Sequence, residues 1–364
     1  MIRRFWIGLL GVVLVGFFHA PGFAAVQVLA KGLTDPFNVL VDAVNVYWNE
    51  GATPPGCKVS QCVKDGSSDA TVRAKATGGW PDHPDMTQDS TFLYFPMCYK
   101  KAGETGCVPQ IVRLAKAGLT APSPLFKFYY LQDPANPVCL DPGFPAVLEV
   151  KLGKVYFSIW DFCESNANEI RRVSSQGAKT KDAVPSFPGA GGGRVTSMVS
   201  DNVHLYWGQQ GAINRLPLAG GAPSRLATLS GIPGSLVTPT TGAGGGSVFW
   251  LEGNLITARI DLKRRAPGGQ VSVLAGDLGL FPRLNLFAAR SLAVDDKYVY
   301  FFRKVNGVNQ LARMPANGGA VKILAKGSAV VDPMGLAADG THVYWADRGS
   351  GSGSGSIKRA PKAP

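Results

Sequence analysis

The densest chemistry in the sequence is Trp80-Pro81-Asp82-His83-Pro84-Asp85. It sets an imidazole between two carboxylates, next to an indole, on a stretch stiffened by prolines. An imidazole so flanked can serve as a general base or supply one metal ligand. Asp82, His83 and Asp85 are therefore the candidate catalytic residues, for a hydrolase or lyase. The same hexapeptide also reads as a capped, hydrogen-bonded turn, and this is the reading the sequence favours. Trp80, Tyr99, Trp160 and Asp161 are candidate binding residues, since aromatic faces can stack on a sugar or grip a peptide. Metal-assisted hydrolysis needs several converging carboxylates or imidazoles. The spacing offers no such set, so neither a metal nor a cofactor is expected. No Gly-x-Ser-x-Gly, His-Glu-x-x-His or phosphate-loop motif is present.

The elements that position these residues are repeated. Seven aromatic triplets recur, Val46-Tyr47-Trp48, Leu93-Tyr94-Phe95, Val155-Tyr156-Phe157, Leu205-Tyr206-Trp207, Val248-Phe249-Trp250, Val299-Tyr300-Phe301 and Val343-Tyr344-Trp345. Their centres lie 47, 62, 50, 43, 51 and 44 residues apart. β-branched and aromatic runs of this kind suit buried strands. A period near 45 with several short strands per unit marks a propeller blade. Five residues before the central aromatic stands an Asp in five units, at Asp42, Asp89, Asp201, Asp295 and Asp339. It belongs to the turn joining the first strand to the second. A third strand ending in Arg is expected to follow, marked by Arg73, Arg113, Arg171 or Arg172, Arg215, Arg259, Arg313 and Arg359. One arginine per unit reads as a structural residue that pairs with a neighbouring blade or lies along an aromatic face.

The last unit, Met334–Pro364, stops one strand short. Val26–Gly32 (VQVLAKG) matches the fourth strand of the preceding unit, VKILAKG at 321–327. The expected fold is thus all-β: a seven-bladed β-propeller of four-stranded antiparallel blades whose last blade is closed by the N-terminal strand. Six blades is the alternative. In such a ring the first strand faces the axis, at Asn38, Asp85, Val147, Ser197, Ser235, Ser291 and Gly335. Asp85 is the single carboxylate among them.

Residues 1–25 read as a signal peptide. Arg3 and Arg4 precede the apolar run Phe5–Phe18, and a small-residue site near Ala24 suits cleavage. The run is short for a membrane span. The expectation is an exported monomer, periplasmic or secreted, with residues 26–364 as one propeller domain. All six cysteines lie beyond the leader, and an even count in an oxidising compartment favours disulfides. Sequential pairing is expected, Cys57 with Cys62, Cys98 with Cys107 and Cys139 with Cys163, out of 15 possible connectivities. The insertions Asn49–Ala70, Pro96–Pro109, Gln132–Pro145 and Asp161–Asn168 carry these cysteines. They fall in the second-to-third-strand and blade-to-blade loops, which share a rim. The disulfide-rich rim of blades one to three is therefore the expected contact surface for a protein or polysaccharide. The full chain carries a net charge of +12. Residues 171–364 hold 23 basic and 10 acidic side chains against 12 and 15 in 26–170. A basic half admits an anionic envelope polymer as partner. Nothing points to specific nucleic-acid recognition.

Val343-Tyr344-Trp345-Ala346-Asp347, followed by Ser356-Ile357-Lys358-Arg359-Ala360, resembles the YWTD repeat of lipoprotein-receptor propellers. The chain is also similar to the broader TolB/NHL-like propellers of exported bacterial proteins. The resemblance implies binding or scaffolding more than catalysis; the alternative is a lactonase-like hydrolase at the channel mouth. The repeat motifs are structural, so the resemblance assigns no functional residue.

Overall fold

A strand that packs against a neighbour on each face must be apolar at every position, not at every second one. The aromatic triplets meet that demand, and each forms the second strand of a blade. Val46, Tyr47 and Trp48 are all fully buried. Alternation along the strand sends Val46 and Trp48 toward Tyr344 and Ala346 of the last blade, and Tyr47 toward Leu93 and Phe95 of the second. Each large side chain so buried contributes about 1.5–3 kcal/mol. The core is therefore a succession of layers between blades.

The computed structural model describes residues 25–51, 58–75, 85–99, 108–118, 120–127, 144–160, 169–177, 187–188, 194–239, 246–254, 257, 259–279 and 290–362. It contains seven four-stranded antiparallel sheets, so the count is seven blades and not six. Blade 1 runs Pro36–Val41, Asn45–Glu50, Lys58–Val63 and Thr71–Lys75, inner strand to outer. Blade 2 is Thr87–Gln88, Phe92–Tyr99, Val108–Ala115 and Ser123–Lys127, and blade 3 is Phe144–Lys151, Lys154–Trp160, Glu169–Ser174 and Phe187–Pro188. Blade 4 is Val195–Ser200, His204–Gln209, Ala212–Pro217 and Ser224–Thr228, and blade 5 is Ile232–Val237, Val248–Asn254, Arg259–Arg265 and Val271–Ala275. Blade 6 is Leu292–Val294, Tyr298–Val305, Val308–Pro315 and Lys322–Lys326. Blade 7 takes Pro333–Ala338, His342–Asp347 and Gly355–Pro361 from the C-terminal end, then Gln27–Leu33 from the N-terminal end. Gln27 stands opposite Arg359 and Ala30 opposite Ile357, which is the expected closure.

Two expectations about the third strands are corrected. In six blades the residue opposite the central aromatic is Arg113, Arg172, Arg215, Arg264, Arg313 or Arg359. Arg259 instead opens its strand, opposite Asn254. In blade 1 the position is Gln61, and Arg73 lies on the fourth strand, donating to Gln61 Oε1 at 2.5 Å. The third strand of blade 1 therefore lies inside the stretch taken as the insertion Asn49–Ala70. This overturns the first disulfide. Cys62 is a free thiol, buried beside Leu29, Val46 and Ile357, and burial pushes its pKa up to about 11. Lys58 to Cys62 is continuous strand, about 13 Å of rise, already more than a disulfide spans. Cys62 thus belongs to the core and not to the rim. Cys57, Cys107, Cys139 and Cys163 lie outside the described residues, as do residues 1–24 with the expected leader, and of Cys98 the backbone alone is described.

Candidate functional site

The inner strands carry the polar residues nearest the axis, and the ring spends them on joining blades. Asp85 Oδ2 accepts the N–H of Leu148 in blade 3 at 3.0 Å. Ser197 Oγ accepts that of Leu236 in blade 5 at 2.8 Å, and Ser235 Oγ that of Leu292 in blade 6 at 2.9 Å. The same step recurs between blades 6 and 7, where Leu336 N–H donates to the Arg290 carbonyl at 2.6 Å. At Gly335 the next blade leaves no room for a side chain: an added Cβ would strike Phe37 O and lie 2.8 Å from Asn38 Cα. Of the axial positions read from the sequence, Asp85, Ser197 and Ser235 are therefore inter-blade connectors, and Gly335 is a point of close approach.

One side chain crosses the ring. Arg290 lies two residues before the inner strand of blade 6, and its guanidinium reaches blades 2 and 3 on the opposite side. Nε lies 2.9 Å from Asp85 Oδ1, and a terminal nitrogen lies 3.2 Å from Asp85 Oδ2, 2.8 Å from Leu148 O and 3.5 Å from Glu149 Oε2. Glu149 Oε1 in turn accepts from Ser200 Oγ at 2.7 Å and Ser200 N at 3.2 Å. Burial raises the Glu149 pKa, against the pull of Arg290. Burial would lower the pKa of Arg290, but Asp85 and Glu149 outweigh it and hold it above its ordinary value. Glu149 and Arg290 were not found from the sequence because neither sits at a repeated position. Their signal was an acidic residue on an inner strand that is otherwise apolar or small.

Of the sequence-derived candidates, Asp85 alone has its side chain among the described residues. Its carboxylate is committed to Arg290, Leu148 and the adjacent Met86 N–H. Trp80, Asp82, His83 and Asp161 lie outside the described residues, and Tyr99 and Trp160 end strands whose backbone alone is described there. His204 and His342 pack their rings against Tyr206 and Tyr344, at 5.7 and 6.1 Å between centroids. Among the described residues no three His, Cys, Asp or Glu side chains are grouped to hold a metal ion.

The rim carrying the first hairpin turns is built from a repeated clasp. In each of the five Asp units, Oδ1 accepts the backbone N–H groups two and three residues on, and Oδ2 accepts the central tyrosine hydroxyl, all at 2.7–2.9 Å. Asp and Tyr thus fix the turn and the core together. Burial and the Asp42 carboxylate push the Tyr47 hydroxyl up to about 12. The recurring arginines do what a structural repeat residue should. Arg113 stacks on Phe92 and donates to Ser175 O of the next blade, Arg313 stacks on Tyr298, and Arg359 donates to Lys64 O. At the opposite rim the residue two past Trp48, Trp207 and Trp250 takes the indole N–H: Glu50 at 3.4 Å, Gln209 at 3.1 Å and Glu252 at 3.1 Å. Asp347 is too short, so the buried Trp345 Nε1 has no partner. Asp347 instead anchors Val331 N, Asp332 N and Lys358 Nζ.

No family model and no curated protein matches this sequence. Solved structures do match in fold. A chain from a mitotic checkpoint complex shares 10% identity over 99% of both chains, with a TM-score of 0.62. A putative 6-phosphogluconolactonase from Bacteroides fragilis shares 12% identity over 79% of this chain and 83% of its own, at 0.52. A chain from a nidogen/laminin complex shares 17% identity over 65% of this chain and 82% of its own, at 0.41. At such identities the likeness of the first two is one of fold alone, and the β-propeller itself is shown by the seven four-stranded sheets. No helix among the described residues is long and apolar enough to cross a membrane.

Proposed function

We propose that the chain is a non-enzymatic, exported propeller that binds a protein or polysaccharide. Its contact surface is the rim formed by the blade-to-blade and second-to-third-strand connections of blades 1 to 3. The observation that carries the reading is the division of labour between axis and rim. The axial carboxylates are consumed by Arg290 and by inter-blade hydrogen bonds. Four long rim connections, 76–86, 100–107, 128–143 and 161–168, lie on blades 1 to 3 and one more, 276–291, joins blades 5 and 6, whereas blade 4 joins its second and third strands through residues 210–211 alone. Long connections on a rigid scaffold are where binding residues concentrate. Trp80, Tyr99, Trp160 and Asp161 are the proposed contacts, with pairing of Cys98 to Cys107 and Cys139 to Cys163 as staples. An array of glycans and envelope proteins tests it. Binding is expected, and loss with Trp80→Ala, Tyr99→Ala and Trp160→Ala combined. Equal binding by that variant, or turnover of a lactone, ester or glycoside abolished by His83→Ala, overturns the proposal.

A further inference from the structure

Six of the seven seams between blades obey one rule at the clasp rim. Three residues past the position opposite the central aromatic, the next blade supplies Lys64, Lys116, Ser175, Leu218, Pro267, Ala316 or Lys362. The polar ones among them meet the clasp of the blade before. Lys64 reaches Asp339 Oδ2 at 2.8 Å, Lys116 reaches Asp42 Oδ2 at 3.5 Å and Lys362 reaches Asp295 Oδ2 at 2.6 Å. Ser175 bonds Tyr94 of the blade 2 clasp. Leu218 follows blade 3, whose hairpin turns through Leu152 and Gly153 without an Asp. Ala316 follows blade 5, whose central aromatic is Phe249. At these six seams a polar partner is present where a clasp is present and missing where the clasp is missing.

The seam between blades 4 and 5 breaks the rule. Asp201 and Tyr206 form the same clasp, with the hydroxyl 2.8 Å from Oδ2, yet the next blade presents Pro267. Proline brings no cation and fills less space than a lysine. At that place lies a cavity of about 390 Å³ lined by Asp201, His204, Tyr206, Arg215, Arg265 and Pro267. Arg215 also differs from Arg113 and Arg359. Arg113 and Arg359 donate to turn carbonyls of the next blade. Arg215 donates Nε to Ser224 Oγ within its own blade, and Arg265 donates Nε to Leu226 O.

We propose that this seam binds a small zwitterion bearing a primary ammonium and a carboxylate, of the amino-acid class. The ammonium takes the place that a lysine fills in three other seams, on the free side of Asp201 Oδ2. It also lies over the Tyr206 ring, as Lys116 lies 5.8 Å from the Tyr47 centroid and Lys362 lies 5.1 Å from that of Tyr300. Two guanidinium groups against one carboxylate leave the cavity positive. A bare cation adds to that field, whereas a carboxylate on the same molecule offsets it and offers Arg215 an acceptor in place of the next-blade carbonyl that Arg113 and Arg359 use. The site lies on the rim opposite the proposed macromolecular contact surface and does not depend on it.

Calorimetric titration of the full chain with 6-aminohexanoate tests the assignment. Saturable binding is expected, several-fold weaker for hexylamine and undetectable for hexanoate. Pro267→Lys supplies the ammonium within the chain and should weaken 6-aminohexanoate at least tenfold while leaving the circular dichroism spectrum unchanged. Asp201→Asn keeps the oxygen that caps the turn and should weaken it to a similar degree. If 6-aminohexanoate does not bind, or binds Pro267→Lys as well as the natural chain, the site is refuted. Hexanoate binding as tightly as 6-aminohexanoate refutes the role of the ammonium, and equal affinity for hexylamine refutes that of the carboxylate.

Discussion

The seam between blades 7 and 1 and the seam between blades 4 and 5 are built from the same parts and end differently. At the first, Lys64 closes on Asp339, Arg359 holds the Lys64 and Asp65 carbonyls, and Gly335 lets the inner strands touch. At the second, Pro267 leaves Asp201 without a cation, and a cavity remains. The chain crosses both seams, through Thr34 and Asp35 at the first and through residues 229–231 at the second. The difference between them therefore lies in the side chains at the rim and not in covalent continuity. A repeat protein can open a site by changing one rim residue where the chain and the inner strands already hold two blades together.

The largest effect expected is from Arg290→Met. It strands two buried carboxylates at the axis, and losing one partner of a buried pair costs about 3–5 kcal/mol. Chemical denaturation should show that loss near neutral pH. The sign of its pH dependence follows from Glu149. A carboxylate whose pKa is raised in the folded state binds more protons folded than unfolded, so stability falls as pH rises through that range. The variant should accordingly recover stability between pH 7 and pH 5, and a flat profile would contradict the axial assignment.

Next comes a pair of glycines. Gly335→Ala meets backbone atoms of Phe37 and Asn38, which cannot move aside, and should cost roughly 3 kcal/mol or more. Gly208→Ala, at the seam of blades 4 and 5, meets Pro233 Cγ at 2.9 Å and Leu236 Cδ1 at 3.0 Å. Those are side chains, and about 1 kcal/mol is expected. Equal losses would erase the distinction between the seams. Lys64→Met should cost up to about 1 kcal/mol, since the pair is only partly buried. Burial alone would raise the Asp339 pKa, but the Lys64 ammonium and the turn N–H groups hold it well below the ordinary carboxylate value. That contribution is present above the unfolded pKa, about 4, and is lost as pH falls through the folded one. Thermal melts from pH 6 to pH 3 should therefore converge for the natural chain and Lys64→Met. The smallest difference separates two indoles. Trp250→Phe removes a bond to Glu252, whereas Trp345→Phe removes a donor that has no partner. Trp250→Phe should be the more costly by about 1 kcal/mol.

Fold and site were unequally legible in the sequence. The triplets, the Asp turns and the matching terminal segments expose the blade count and the closure because they repeat, and repetition is a local signal. Blade 1 was misread where Gln61 replaces the recurring Arg, which carried Cys62 from the core to the rim. The Arg290–Asp85–Glu149 network joins residues far apart in sequence, and nothing local marks such a meeting. The lysines at 64, 116 and 362 stand three residues past the third-strand position opposite the central aromatic, Gln61, Arg113 and Arg359. Their absence at Pro267 was readable, but gained meaning once the lysines were seen to face Asp residues of another blade.

Because Gln27 stands beside Arg359, the two ends of the fold are neighbours in one sheet. Between Pro361 and Gln27 the only thing absent, relative to blade 6, is a turn such as Pro315–Ala320. A linker of that length would make the ring covalently continuous, and the backbone could then be cut at the turn of another blade, for instance at Gly220-Gly221, with every sheet intact. Where the chain starts is a property of its gene, while the architecture itself has no first blade.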